Sequence, residues 1–147
     1  MASWGEFAGA APELAAFGEG RFQSTYVAFL ATVQTDGSPR VHPVTPIIGQ
    51  GRLFLFMEPT SPKGHDLQRD GRYALHSSVS DPDGTSGEFT ISGQAVLVID
   101  PSVRAMAAAA ASYNPADRYI LFELNVQEAL STSYQDGRPL RRRWRQE

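Results

Sequence analysis

Between Glu88 and Ile99 the residues Phe89, Ile91, Gly93, Ala95, Leu97 and Ile99 fall on one side of an extended chain, while Glu88, Thr90, Ser92 and Gln94 fall on the other. A period of two held this long is the pattern of a strand with one face in a core. It obliges the rest of the chain to supply partner strands and a hydrophobic interior.

The neighbouring segments answer that demand. Tyr26 to Val33 is apolar on both faces, as in a strand covered on each side. Thr35-Asp36-Gly37-Ser38 is a hairpin turn, and Arg40 to Ile48 is the return strand. Prolines at 39, 43 and 46 mark that strand as irregular or at an edge, because each lacks a ladder donor. Gly49-Gln50-Gly51 turns into Leu53 to Met57, a run buried on both faces, and Tyr73 to Val79 is a further strand ahead of a loop from Ser80 to Gly87. Tyr119 to Leu124, Ala129 to Tyr134 and Pro139 to Arg145 complete the β-type segments.

Three helices are expected. One occupies the first twenty residues, one starts at the Ser61 cap with Pro62 in its first position and runs to about Arg69, and one follows Asp100-Pro101 through the alanine run to about Tyr113. Six or seven strands joined mostly by tight hairpins predict a mainly β (α+β) fold, a small antiparallel barrel with three short helices. The 147 residues suit one domain spanning 1–147.

Composition removes whole classes of chemistry. There is no cysteine, hence no disulfide, thiolate metal site or cysteine nucleophile. A net charge of −3 argues against non-specific nucleic-acid binding. No apolar run approaches the roughly 20 residues of a membrane helix, and no secretory pattern opens the chain, so a cytoplasmic protein with no membrane partner is expected. His42, His65 and His76 lack metal-ligand spacing, and His76 reads as a strand histidine with a satisfied hydrogen bond. No nucleophile elbow or Gly-rich dinucleotide loop occurs.

One stretch carries chemistry. From Leu53 to Leu67 a buried strand is followed by a turn bearing Thr60 and Ser61, then by a helix start bearing Lys63, the only lysine among 13 basic residues. A helix N-terminus favours a phosphate, two hydroxyls can donate to it, and the ammonium adds a full charge. The plainer reading, in which Ser61 only caps the helix and Lys63 is solvated, stays open.

The succession of a DG turn with GSPR, the FLF strand, SPKGHDL, a second DG with RYALHS, and GEFTISGQA resembles the FMN-binding split β-barrels related to pyridoxamine-5′-phosphate oxidase. The resemblance is good over roughly residues 25 to 100 and implies a split barrel working as a homodimer, with the cofactor between subunits. It implies a flavin-dependent oxidoreductase that binds FMN and a small-molecule substrate. Coenzyme F-420, haem or a non-catalytic binding role are the alternatives within the same fold.

By that resemblance the phosphate-gripping turn is Ser61, Pro62 and Lys63, with Thr60 beside it, and a family arginine is replaced by Pro62. Phe56 and Met57 would line the flavin ring. A second family arginine falls at His42, with Arg40 close by, and Glu88 or Thr90 matches a polar residue near the ring. The C-terminal run from Arg138 to Arg145 does not match the substrate-binding segment of true pyridoxamine-phosphate oxidases, so that activity is not expected. On a strand, Arg141, Arg143 and Arg145 would share one face and Arg142 and Trp144 the other.

Overall fold

The computed structural model describes residues 1–147. Eight strands and four helices follow in the order α1 (Trp4–Ala10), α2 (Pro12–Thr25), β1 (Ala28–Val33), β2 (Pro39–Val44), β3 (Ile47–Gly49), β4 (Arg52–Met57), α3 (Pro62–Arg69), β5 (Arg72–Ser77), β6 (Glu88–Leu97), α4 (Pro101–Ala110), β7 (Ile120–Gln135) and β8 (Arg138–Arg145). All pairings are antiparallel, in the order β2-β1-β5-β6-β7-β4-β3, with β8 also on β7. No helix is long and apolar enough to cross a membrane.

The antiparallel β architecture is as expected, but the counts differ in instructive places. The N-terminal helix is two helices, because Pro12 restarts the chain after a Ser3 capping box has begun the first. The proline-bearing return strand is two strands, β2 and β3, and they lie at the opposite edges of the sheet. An edge is where missing N–H donors cost least. The segments expected at Tyr119 to Leu124 and Ala129 to Tyr134 are one 16-residue strand.

That strand, β7, is the spine. β6 runs along one side of it, while β4 pairs with Ile120 to Glu123 and β8 with Glu128 to Gln135 on the other. A bulge accommodates the long pairing: Ser92 lies opposite Glu128 and Gly93 opposite Val126, leaving Gln127 extra. Gly93 is required there, since a Cβ would sit 2.1 Å from the Asn125 carbonyl oxygen.

The main core lies inside the curled sheet. Leu30, Leu53, Leu55, Leu75, Phe89, Ile91, Phe122, Leu124 and Val126 are essentially inaccessible, and Trp4, Phe7 and Phe22 of the first two helices close one end. Phe22 meets Phe89 edge-on at 5.5 Å, and Phe7 packs on Trp144 at 5.1 Å. A smaller core forms on the outer side of β4, where Phe54, Phe56 and Leu121 meet Ala107 of α4. β4 is therefore buried on both faces, as its sequence indicates.

Two other strands depart from their patterns. β1 alternates, with Phe29 42% exposed, rather than being covered on both sides. The inward set of β6 stops at Ala95: Leu97 and Ile99 are exposed, because the strand ends at Leu97 and the chain turns toward the Asp100 cap of α4.

Candidate functional site

The end of β4 and the start of α3 open onto a cleft of about 290 Å³ lined by Pro43, Val44, Thr45, Phe56, Met57, Glu58, Lys63, Tyr113 and Tyr119. Local chemistry explains the turn between them. Ser61 Oγ accepts from the Gly64 N–H at 3.2 Å and donates to the Glu58 carbonyl at 2.7 Å, so one hydroxyl caps the helix and ties it to the strand. Pro62 occupies the first helical position, where its missing N–H costs nothing.

Lys63 is half-buried and has no carboxylate partner. Burial pushes its ammonium below the usual lysine range. His42, also half-buried, has its Nε2 inaccessible and without a hydrogen-bond partner. Burial first, then the charges of Lys63 and Arg40, push its imidazole below the ordinary histidine value, against an opposing pull from Asp66.

The remaining expected residues fall into two groups. Phe56 and Met57 both reach the cleft wall but face opposite ways along β4: Met57 joins the barrel core and Phe56 the smaller one. Thr60 is exposed in the turn. Arg40, by contrast, is engaged by the fold itself, donating through Nε to Asp66 at 2.8 Å and through Nη2 to Gln34 at 3.0 Å. The Ser61 hydroxyl is likewise committed to backbone, and the Gly64 N–H is already satisfied. This helix start is a poorer phosphate site than a bare N-terminus, which leaves Lys63 as the cleft's unpaired cation, with the exposed Thr60 hydroxyl near it and His42 outside the cleft lining.

Glu88 is exposed and stands 3.8 Å from His76 Nε2, while His76 Nδ1 bonds the Ser77 carbonyl at 2.6 Å. That histidine is satisfied, as its sequence setting suggests. On β8, Arg142 pairs with Glu13 and Arg143 with Glu128, and Trp144 packs inward. A larger hollow of about 430 Å³ beside α2 is lined by those two arginines, both already compensated.

Sequence reasoning missed the far wall. Arg104 of α4 donates to the carbonyls of Tyr119, Ala116 and Asp117 at 2.6, 3.2 and 3.1 Å, and lies 5.1 Å from the centroid of the Phe56 ring. It fastens the segment carrying Tyr113 and Tyr119 over the cleft. Nothing in the local pattern around Arg104 signals this, since its partners lie 12 to 15 residues away and are backbone atoms.

Solved structures with this fold include a heme-binding protein of Mycobacterium smegmatis, 23% identical with a TM-score of 0.66. The alignment covers 86% of this chain and 57% of that one, so the chain spans little more than half of that protein's length. A conserved hypothetical protein of Mycobacterium tuberculosis is 19% identical over 82% of both chains, with a TM-score of 0.69. A Clostridium acetobutylicum protein related to general stress protein 26 of Bacillus subtilis, of the pyridoxinephosphate oxidase family, is 11% identical over 84% of this chain and 89% of its own, with a TM-score of 0.63. No curated protein matches the chain. Residues 13–139 match the family described as pyridoxamine 5'-phosphate oxidase, and the chain belongs to that family.

Proposed function

We propose that the chain is a flavin-dependent oxidoreductase that holds FMN with its phosphate at Lys63, in a cleft completed by a second copy of the chain. The observation that carries this reading is an uncompensated charge: the single lysine lies half-buried without a carboxylate, in a cleft with an aromatic wall and close enough to His42 to add to the lowering that burial imposes on its pKa. An ammonium drawn out of water without a counter-ion costs free energy, and a phosphate dianion offsets that cost.

The residues present suit such a group in charge and in wall chemistry. Lys63 would take the phosphate, with Thr60 as an additional donor and His42 joining once its inaccessible Nε2 is uncovered, and Phe56, Met57, Tyr113 and Tyr119 would border the ring. The flavin, when bound, supplies hydride or electron transfer, while the protein contributes binding, orientation and exclusion of water. An apolar outward face across β1 and β2, with Phe29 opposite Pro43 and Ala31 opposite Val41, offers the surface for pairing with the second copy.

Titration of the purified protein with FMN and, in parallel, with coenzyme F-420, followed by flavin fluorescence, tests this reading. FMN is expected to bind with about micromolar affinity, and Lys63→Ala is expected to weaken it at least about tenfold. Unchanged affinity in Lys63→Ala removes the phosphate assignment, and failure of both cofactors to bind removes the flavin reading. Binding of F-420 alone transfers the site to the deazaflavin.

A second reading rests on His42. A neutral imidazole nitrogen is what a haem iron takes as a ligand, and here the inaccessible Nε2 would first have to be uncovered. A Soret band near about 400 nm on adding haem, lost in His42→Ala, would favour it over the flavin.

A further inference from the structure

Glu58 and Lys63 line the same cleft, yet they are not paired. The Glu58 carboxylate is instead held by Arg118, whose Nε lies 3.0 Å from both carboxylate oxygens and whose Nη2 also bonds Oε1. Arg118 comes from the far wall of the cleft, next to Tyr119, and lies 5.2 Å from the centroid of that ring. Two oxygens facing one planar guanidinium is the strongest geometry open to a carboxylate at a surface.

We propose that Arg118 is a positioning residue that keeps Lys63 available to an anionic ligand by holding Glu58 away from it. This rests on the reading that Lys63 receives the phosphate, and adds how its charge is kept free. A carboxylate at the end of β4, five residues before an unpaired ammonium and on the same cavity wall, is the natural competitor for that charge. With Arg118 in place the Glu58 charge is already satisfied, and burial alone is what perturbs Lys63. The other charged and titratable groups on this side are His42 and Arg40 on β2, Asp66 on α3, and, on the far wall, the two tyrosines and Arg104, which is committed to backbone carbonyls. Arg40 and Asp66 neutralise one another, so Glu58 is the carboxylate left to compete.

The proposal makes the two halves of one ion pair behave oppositely, which a merely structural bridge would not. In FMN titrations Arg118→Gln is expected to bind about three- to tenfold more weakly. Glu58→Gln is expected to bind at least as tightly as the parent, and the double variant to return to the parent affinity. Equal weakening by both single variants would mean that the bridge only braces the fold, and would overturn the proposal.

A second measurement needs no cofactor. Because Lys63 is the only lysine, ¹³C-labelled lysine reports a single side chain whose titration can be followed by NMR. Its pKa is expected to rise in Arg118→Gln and to return in the double variant. A Lys63 titration unmoved by Arg118→Gln overturns the proposal outright. If FMN binds Lys63→Ala as well as the parent, the phosphate assignment fails by itself, and the ligand-free titration still decides the contest between Glu58 and Lys63.

Discussion

Arg40 and Asp66, 26 residues apart, meet through Nε and Oδ2 at 2.8 Å, and the same carboxylate oxygen accepts the Thr32 hydroxyl at 2.8 Å. Arg69 completes the set, donating to Asp66 Oδ1 at 3.2 Å and also to the Val33 carbonyl. One buried carboxylate thereby binds β1, β2 and α3, and so sets where His42 and Lys63 stand relative to each other. Asp66→Ala is expected to destabilise the protein by about 1–3 kcal/mol, because it strips the partner from the partly buried Arg40 guanidinium and the Thr32 hydroxyl, with a smaller loss at the exposed Arg69. Urea unfolding measures this, and a loss below about 0.5 kcal/mol would show that Arg40 and Arg69 find water instead.

The same group predicts a pH dependence. Burial raises the Asp66 carboxyl pKa, but hydrogen bonds from Arg40, Thr32 and Arg69 outweigh it and leave the pKa below the usual aspartate value. Its stabilisation is therefore complete above the unfolded value of about 3.9 and is lost as the pH falls through the lower folded value. Asp66→Asn should flatten this acid limb in unfolding curves recorded between neutral and acid pH; a limb of unchanged steepness would assign it to other carboxylates.

His42 predicts the pH dependence of ligand binding with the opposite sign. In the free protein its imidazole is held below the ordinary histidine value. A phosphate beside it raises that value, so FMN affinity should increase as the pH falls through the raised pKa and level off below the free one. The flavin phosphate itself takes up a proton near pH 6 or so, which works against this trend. The difference between the parent and His42→Gln isolates the histidine, and identical pH profiles would place His42 outside the site.

Gly93→Ala is expected to cost about 3 kcal/mol or prevent folding, since the added carbon would lie 2.1 Å from a backbone carbonyl oxygen that cannot move without breaking the β6–β7 ladder. A shift in the thermal midpoint of less than about 3 °C would show that the bulge relaxes freely.

Val41 is 62% exposed on the outer face of β2, opposite Ala31 of β1. If two copies pair through this face, as proposed, the parent should sediment as a dimer and Val41→Glu as a folded monomer. A dimer that persists would place the subunit contact elsewhere.

The parts of this molecule that were readable from sequence are those set by neighbours along the chain. The Ser61-Pro62 start of α3 and its end at Arg69 follow from capping chemistry confined to a few residues, and the structure has the same boundaries. The double burial of Leu53 to Met57 follows from an unbroken apolar run. The continuity of β7 was not readable, because the stretch Asn125 to Glu128 is polar enough to read as a break and becomes strand only through β6 and the bulge. Lys63 and His42 could be named as candidates from the sequence, but the engagement of Arg40 by Asp66 could not be read from it. Pairing across 26 residues leaves no spacing signature, and the same holds for Arg104 with its carbonyls and for Arg118 with Glu58, 60 residues away.

The position of β7 has a consequence for how the chain reaches this state. β4, β6 and β8 all pair with it, and it begins only at Ile120. A nascent chain emerging from the ribosome must therefore hold β4 and β6 without their shared partner until the stretch from Ile120 onward has been made. Closing such distant contacts is slow, and open strand edges are templates for aggregation in the meantime. Assembly should then be a late and concerted event, in which arrival of the spine converts loosely held hairpins into the barrel in one step.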